Sequence, residues 1–328
     1  MRAMTVTAFG GPEVLKIQDV PEPERQPQDI LIRVHAAGLN PVDTKIRSGA
    51  HGELPLPLIP GYDVCGVVEA IGTEVHHRFR IGDYVYATPN LRRNGAHAEL
   101  VAVDSRTAAL KPQNLDAVQA AALPLVTVTA WEGLIDRAQI RVGETVLVQA
   151  GAGGVGHVAI QLAKLQGCRV IATASRPESM ALCSQLGADV VINYKEEDVV
   201  ARVMSETRDR GCPVVFDTVG GQVLEQCMDC VSVNGRVVGI VLTQTDQIYP
   251  KLFRRNCSLH LEFMGARLIH NIEPQRQGEI LSHAALLAAE KRLVPHVSKV
   301  IDLEDLPEAH AELAQGHTQG KIVVKMAG

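Results

Sequence analysis

The stretch Glu144 to Ser175, ETVLVQAGAGGVGHVAIQLAKLQGCRVIATAS, constrains the fold more than any other part of the chain. It reads as strand, glycine turn, helix, strand. Thr145 to Ala150 is a short apolar run rich in β-branched residues, the pattern of a strand buried in a parallel sheet. Gly151, Gly153 and Gly156 follow at the spacing G-x-G-x-x-G, with Gly154 an additional glycine. Val155 to Gly167 repeats apolar residues at helical spacing, and Arg169 to Ala174 is a second buried-strand run. In such a unit the first glycine makes a tight turn, the second lets the backbone approach a pyrophosphate, and the third lets helix and strand pack closely. Backbone N–H groups at the helix start, where Gly154 and Val155 stand, face the phosphates with the helix dipole behind them. A lone G-x-G-x-x-G is weak evidence. Placed directly after a strand and opening a helix, it points to a dinucleotide site.

The remaining punctuation divides the chain. Before about Leu123, short β-branched or alternating runs (Met4–Thr7, Leu15–Asp19, Asp29–Ala36, Asp63–Ile71, Tyr84–Ala87) are separated by Gly, Pro, Asn and Asp. Many short strands without intervening helices predict a β barrel or sandwich. Asp116 to Ala122 reads as a helix ending at Pro124. Strands and helices alternate from there: helices over 177–186, 197–208 and 222–231, strands over 190–194, 213–218, 236–242 and 258–264. Six strands with crossover helices make a doubly wound parallel sheet of α/β type. Near Gly265 the pattern changes to helix 280–291, strand 299–303, helix 306–315 and a closing strand 321–326. This tail is expected to return to the first domain. The expected division is 1–123 with 266–328, and 124–265.

The length of 328 residues suits two domains and a large core. Charged residues make up 21% and the net charge is −5, with no long run of one sign, so nothing points to nucleic acid or an anionic membrane. No apolar run reaches the length of a membrane span, and Met1–Arg2 leads into a strand-like segment with no signal-peptide pattern. The seven cysteines are odd in number and fit no disulfide framework, so reduced thiols in a cytoplasmic protein are expected. Cys227-x-x-Cys230 falls on an expected helix and lacks a second pair, which favours packing over zinc or redox chemistry.

Several ordered elements carry a resemblance: Gly38-Leu39-Asn40-Pro41-Val42-Asp43, Ile46-Arg47-Ser48-Gly49, Pro60-Gly61-Tyr62-Asp63, Gly66-Val67-Val68, and Gly82-Asp83-Tyr84-Val85. Ala150 to Gly156, Leu186-Gly187-Ala188-Asp189, Asn193-Tyr194, Phe216 to Gly220 and Gly320-Lys321-Ile322-Val323 complete the series. Over its full length the chain resembles the medium-chain dehydrogenase/reductase superfamily. Its pattern is most similar to the zinc-independent quinone oxidoreductase and ζ-crystallin branch. The resemblance implies a GroES-like β-barrel catalytic domain, a Rossmann cofactor domain and an active site in the cleft between them.

Zinc enzymes of that superfamily bind a catalytic metal through an early Cys, a Gly-His-Glu and a later Cys. The early Cys position is Asn40 here, and the Gly-His-Glu place is Gly61-Tyr62-Asp63. Asn and Tyr are poor zinc ligands, which leaves Asp63 alone. The structural zinc lobe of those enzymes needs four closely spaced cysteines, and the segment between Tyr86 and Glu99 has none. The adjacent His76 and His77 lack a completing Cys or carboxylate and read as solvated loop residues. No metal is expected.

NAD enzymes place Asp or Glu at the end of the second strand, about 20 residues after the last motif glycine, to bind the ribose hydroxyls. Here Ser175 and Arg176 stand at that point, so a 2′-phosphate would meet a hydroxyl and a guanidinium. Tyr194 matches a Tyr that approaches the phosphate in quinone oxidoreductases. Ser179 stands where bacterial members often have Lys. NADPH is the expected cofactor. Arg176 as a solvated helix-start residue, and Glu178 as its competitor or as a helix N-terminal charge, remain open alternatives.

By resemblance, Asn40 lies near the nicotinamide and can donate an amide N–H to a developing oxyanion, or else serve as a turn residue before Pro41. Asp43 is expected to organise the loop. Tyr62 is either a proton donor or part of the cleft wall. Lys45 and Arg47 flank the site, and Thr127 matches a Thr beside the nicotinamide, with a helix-start cap as its competing role. The expected function is hydride transfer from NADPH to a quinone or an α,β-unsaturated carbonyl. A 2-enoyl thioester reductase, for which the usual Tyr is absent between Thr44 and Leu58, or an alcohol dehydrogenase-like reductase is the nearest alternative. A non-catalytic NADPH-binding protein, crystallin-like or RNA-binding, is the alternative of another class. The segments 236–242 and 258–264 lie late in the sheet, and an unprotected apolar edge there predicts a homodimer.

Overall fold

Short β-branched runs broken by turn residues build the first part of the chain. The computed structural model describes residues 1–52, 54–75, 78–316 and 318–326; His76 and His77 lie outside the described residues. Strands β1 (Arg2–Val6) and β2 (Leu15–Asp19) pair antiparallel. Strand β3 (Asp29–Gly38) is followed by helix α1 (Pro41–Arg47), then by β4 (Val64–Ile71), β5 (Tyr84–Ala87), β6 (Leu100–Asp104) and β7 (Ala108–Leu110). Helices α2 (Ala117–Ala121) and α3 (Pro124–Trp131) come next. Asp116 caps α2 by accepting the Gln119 N–H at 2.7 Å.

Crossover connections dominate the middle: β8 (Thr145–Val148), α4 (Gly156–Leu165), β9 (Arg169–Ala174), α5 (Pro177–Gln185), β10 (Val190–Asn193), α6 (Val199–Glu206), β11 (Cys212–Asp217), α7 (Gln222–Cys230), β12 (Val231–Gly239), α8 (Ile248–Arg255) and β13 (Ser258–Leu261). The tail adds α9 (Ala266–Ile269), α10 (Gln275–Ala289), β14 (Val297–Ile301), α11 (Leu306–Ala314) and β15 (Lys321–Lys325). Packing divides the chain into two units, Met1–Val128 with Gly265–Gly328, and Thr129–Met264.

The second unit is a parallel sheet in the order β10-β9-β8-β11-β12-β13. That is the strand order of a doubly wound dinucleotide fold, with its reversal between β8 and β11. Leu147, Ile171, Val215 and Val237 bury its centre. In the first unit β3 is the hub. Asp29–Arg33 pairs with β6, Ile30–Ala36 with β4, and Ala36–Gly38 with β15, so the last strand of the chain is hydrogen-bonded to one of the first. Ile30, Ile32, Val68, Val101 and Val324 fill the core beneath.

Most expected elements are present, with differences that have local causes. The strand expected to reach Ala150 ends at Val148, because Ala150 takes a left-handed φ of 48° at the turn. The strand expected over 236–242 begins earlier, at Val231, and ends at Gly239. Helix α1 was hidden because Asn40-Pro41 reads as a turn, and Pro at the first helical position serves both. Helix α8 is short and fully buries no residue; only Ile248 and Leu252, four apart, are partly buried against the core, too brief a stripe to mark a helix. All seven cysteines are free; Cys227 and Cys230 lie on α7 in the core, where burial pushes the Cys230 thiol up to about 12.

One pair of side chains in the first unit sits in the core against the usual rule. His97, before β6, and His310, on α11, are both fully buried, with ring centroids 6.3 Å apart in an edge arrangement. None of their four ring nitrogens has a hydrogen-bond partner among the described residues. Burial holds His97 well below its ordinary value and His310 down at about 3. An unfolded His takes up its proton near pH 6.5, whereas buried His310 resists protonation until about pH 3. Its contribution to stability is therefore present above pH 6.5 and is lost as pH falls from about 6.5 toward 3, by about 1.4 kcal/mol per pH unit. In His310→Leu the acid limb of the unfolding free energy from urea titrations, followed from pH 7 to pH 4, should flatten by that slope relative to wild type. An unchanged limb would show that His310 is already protonated in the folded protein.

Candidate active site

In the first unit, three segments far apart in sequence converge on one buried polar cluster. Pro41 starts α1, which places Asn40 at its N-cap with extended backbone. Asp43, three residues on, turns back so that its Oδ2 accepts the Asn40 N–H at 2.6 Å. Its Oδ1 accepts the Gly61 N–H at 2.9 Å. Gly61 has φ of 107°, and a Cβ there would stand 2.7 Å from the His97 nitrogen, so only glycine lets this loop close down.

Gly61 leads to Tyr62 and Asp63, just before β4. The Asp63 carboxylate accepts three bonds: from Asn40 Nδ2 at 2.7 Å, from the Leu125 N–H at 2.6 Å, and from Lys321 Nζ at 2.8 Å. Lys321 opens β15, and its ammonium also donates to the Leu39 carbonyl at 2.9 Å and to Asn40 Oδ1. Asn40, Asp43, Asp63 and Lys321 are all at most 2% exposed.

The electrostatics follow from burial. Desolvation pushes the Asp43 carboxyl up to about 7, with the Asn40 and Gly61 N–H groups and the Lys321 charge opposing it. Desolvation also raises Asp63, and the adjacent Lys321 ammonium pulls it back. An ion pair this deep is costly to split: removing one partner costs about 3–5 kcal/mol, whereas replacing both is often neutral.

Tyr62 is buried, and burial raises its phenol above the ordinary range, so it keeps its proton at neutral pH. Its hydroxyl donates weakly to the Leu91 carbonyl at 3.5 Å. The ring lines a cavity of about 320 Å³ with Leu54, Pro57, Leu58 and Arg92. Arg47 turns away, donating to the Gly10 carbonyl at 3.1 Å, and Lys45 is exposed. Thr127 lies within α3 rather than at its start, and its buried hydroxyl has no partner among the described residues.

In the second unit the glycine turn follows β8, at the point where the strand order reverses. Gly151 is packed so tightly that a Cβ would come within 2.9 Å of both Ala172 Cβ and Cys183 Sγ. At Gly156 a Cβ would lie 2.2 Å from the Ala150 carbonyl oxygen, a distance no side chain tolerates. At Gly153 the nearest atom to a Cβ is 3.2 Å away, which leaves its outer face open. The N–H groups of Gly154 and Val155 have no acceptor within the protein among the described residues. Tight packing inside and free donors outside are what a pyrophosphate requires.

Beyond the turn, the parallel register sets Asn193 against Ala174, so the residues after each strand also meet. Ser175 Oγ donates to Tyr194 Oη at 3.0 Å. Arg176 follows, its Nε 3.3 Å from Glu178 and its Nη2 3.5 Å from Ser179 Oγ. A nicotinamide dinucleotide therefore fits the residues present: Gly153, Gly154 and Val155 for the pyrophosphate, and Ser175, Arg176 and Tyr194 for the adenosine end.

The structure thus brings together Ser175, Arg176 and Tyr194 in one unit, and Asn40, Asp43 and the Tyr62–Asp63 segment in the other. Lys321 is the residue that sequence reasoning passed over as part of a closing motif. The signal was a lysine opening an otherwise apolar strand, Lys321-Ile322-Val323-Val324, where an interior charge needs a partner.

Comparison with known proteins agrees with this architecture. Residues 26–113 match the family model of the alcohol dehydrogenase GroES-like domain, and residues 154–272 that of the zinc-binding dehydrogenase. A quinone oxidoreductase of Rattus norvegicus is 35% identical over 327 residues, covering 98% of this chain and 96% of that protein. An NADPH-dependent alkenal/one oxidoreductase of the Arabidopsis thaliana chloroplast is 38% identical over 264 residues, covering 77% of this chain and 65% of that protein. The crystal structure of an alcohol dehydrogenase superfamily protein from Novosphingobium aromaticivorans superposes with a TM-score of 0.91 at 35% identity, covering all of both chains. With both halves of the fold matched and full-length relatives at this identity, the chain belongs to the medium-chain dehydrogenase/reductase superfamily and is an oxidoreductase.

Proposed function

We propose that the protein reduces a quinone or an α,β-unsaturated carbonyl with NADPH and without zinc. The observation that carries the cofactor choice is the Ser175–Tyr194 hydroxyl pair beside Arg176, where an NAD enzyme needs a carboxylate. The nearby Glu178 is exposed and paired with Arg176. An exposed ion pair contributes about 0–1 kcal/mol, whereas an Arg–phosphate bond contributes about 1.5–3 kcal/mol. A 2′-phosphate would therefore displace Glu178 from Arg176. The two relatives named above as quinone and alkenal/one oxidoreductases, the latter NADPH-dependent, support the same reading.

Bound NADPH supplies the hydride. The protein's part is to position the substrate, exclude water and stabilise the oxygen that gains negative charge. Asn40 spends one amide proton on Asp63 at 2.7 Å, while the other faces the Gly38 carbonyl at a slack 3.4 Å. That second proton is the donor for the developing oxyanion, a role worth about two orders of magnitude in kcat. Asp43 holds Asn40 and Gly61 in place through backbone bonds and transfers no proton. Tyr62, protonated and lining a cavity, is the second donor, and the unpartnered Thr127 hydroxyl is available to the nicotinamide amide. The donor set supports zinc-free chemistry. Asn40 and Asp63 are already bonded to an ammonium, and no group of three metal-binding side chains converges among the described residues.

The test is steady-state turnover of phenanthrenequinone with both cofactors. In Arg176→Ala the KM for NADPH should rise roughly ten- to hundredfold, while kcat and all NADH kinetics stay nearly constant. Equal weakening toward both cofactors would mean that Arg176 only supports the start of α5, and a wild-type preference for NADH would overturn the reading. Dialysis against a chelator should leave turnover intact; zinc at one equivalent, with activity lost on its removal, would refute the zinc-free chemistry.

The same proposal includes a homodimer. Strand β13 is the sheet edge, and Leu261 on it is 58% exposed. An apolar edge of this kind invites pairing with a second copy. Light scattering at micromolar concentration should give twice the mass of the 35.3 kDa chain, and a monomer would refute it.

A further inference from the structure

The ammonium of Lys321 has three protons and three acceptors: the Leu39 carbonyl, Asn40 Oδ1 and Asp63 Oδ2. Lys321 and one of those partners, Asp63, grip the same amide from its two ends. Asn40 presents its oxygen to Lys321 and its nitrogen to Asp63 at 2.7 Å. Turned end for end, the amide would set its NH₂ against an ammonium and its carbonyl against a carboxylate. Both contacts would then be like with like, at 2% exposure or less. Charge, not shape, therefore decides which end of the amide is which, since oxygen and nitrogen are nearly equal in size. The Asp63 contact alone could orient the amide, but Asp63 is itself held by Lys321 at 2.8 Å.

We propose that Lys321 is a positioning residue for the reaction, and that its ammonium fixes the Asn40 amide with its nitrogen end available to the substrate oxygen. This rests on the reading of Asn40 as the oxyanion donor. A lysine on the last strand would then govern a donor about 280 residues earlier in the chain. A purely structural lysine, which only ties β15 to the Asn40 and Asp63 loops, would affect stability without a specific link to Asn40.

A double-mutant cycle separates the two roles. Full-length Lys321→Met, Asn40→Ala and the combined variant are compared with wild type, using NADPH and phenanthrenequinone. Asn40→Ala should lower kcat about 100-fold. Lys321→Met should lower kcat about tenfold or more with the KM for NADPH unchanged, and the combined variant should be no slower than Asn40→Ala alone. If the Lys321→Met loss is repeated in full on the Asn40→Ala background, Lys321 does not act through Asn40 and the proposal is overturned. If Asn40→Ala keeps full kcat, the donor reading itself has failed and the proposal falls with it. Because Lys321→Met leaves a buried carboxylate without its cation, kcat and thermal midpoint are also measured for Lys321→Met combined with Asp63→Asn, which removes both charges. A restored midpoint with kcat still about tenfold low supports the positioning role. Recovery of wild-type kcat along with the midpoint overturns it.

Discussion

The buried ammonium of Lys321 is the interaction on which the first unit depends. It is the point where the last strand, the entrance to α1 and the segment before β4 meet, at Leu39, Asn40 and Asp63. Burying an ammonium and a carboxylate costs several kcal/mol for each, and the cost is met only when every proton and lone pair is engaged. Here the engagement is close to complete, because Asp63 takes two further bonds from Asn40 and Leu125. The pairing of β15 with β3 at Val323 and Gly38 sets the backbone register that delivers Lys321 there. An early loop is thus shaped by the end of the chain.

Asp43 plays a smaller part in the same cluster. Each of its oxygens accepts one backbone N–H, from Asn40 and from Gly61, so it fixes the two loops relative to each other. Burial pushes its carboxyl up to about 7, against the two N–H groups it accepts from. The cluster has one cation for two carboxylates, and Lys321 contacts Asp63 rather than Asp43. Polar groups held by such a network are oriented by electrostatics more than by packing.

The second unit solves its problem with backbone. A parallel strand, a glycine turn and a helix start leave N–H groups and a helix dipole facing outward, an arrangement suited to an anion without any charged side chain. The glycines are needed because the Ala150 carbonyl, Ala172 and Cys183 occupy the space a side chain would take. Side chains meet at the ends of β9 and β10, where strand register brings Ser175 and Tyr194 within 3.0 Å. The two units therefore differ in how much of their chemistry is local in sequence.

That difference governs what could be read from residues alone. The strand, glycine turn and helix of the second unit were legible because their logic is local: apolar run, fixed glycine spacing and helical periodicity lie within about 30 residues. The six parallel strands were legible for the same reason, to within a few residues at their ends. Short strands β6 and β7 and helix α8 were missed, since runs of three to eight residues are too brief for a periodic pattern to stand out. Asn40 and Tyr62 were also visible as departures from a metal-binding pattern, and Asp43 as a loop organiser. Their partnerships were not. By itself the sequence determined the layer architecture, the glycine turn after β8 and the absence of an acid directly after β9, because each depends on neighbours in the chain. Only the tertiary structure decided that Lys321 meets Asn40 and Asp63 and that two histidines share a core with no hydrogen bond to either ring among the described residues. Those contacts span more than 200 residues and are fixed by strand register and by the cost of burying charge, which no local pattern encodes.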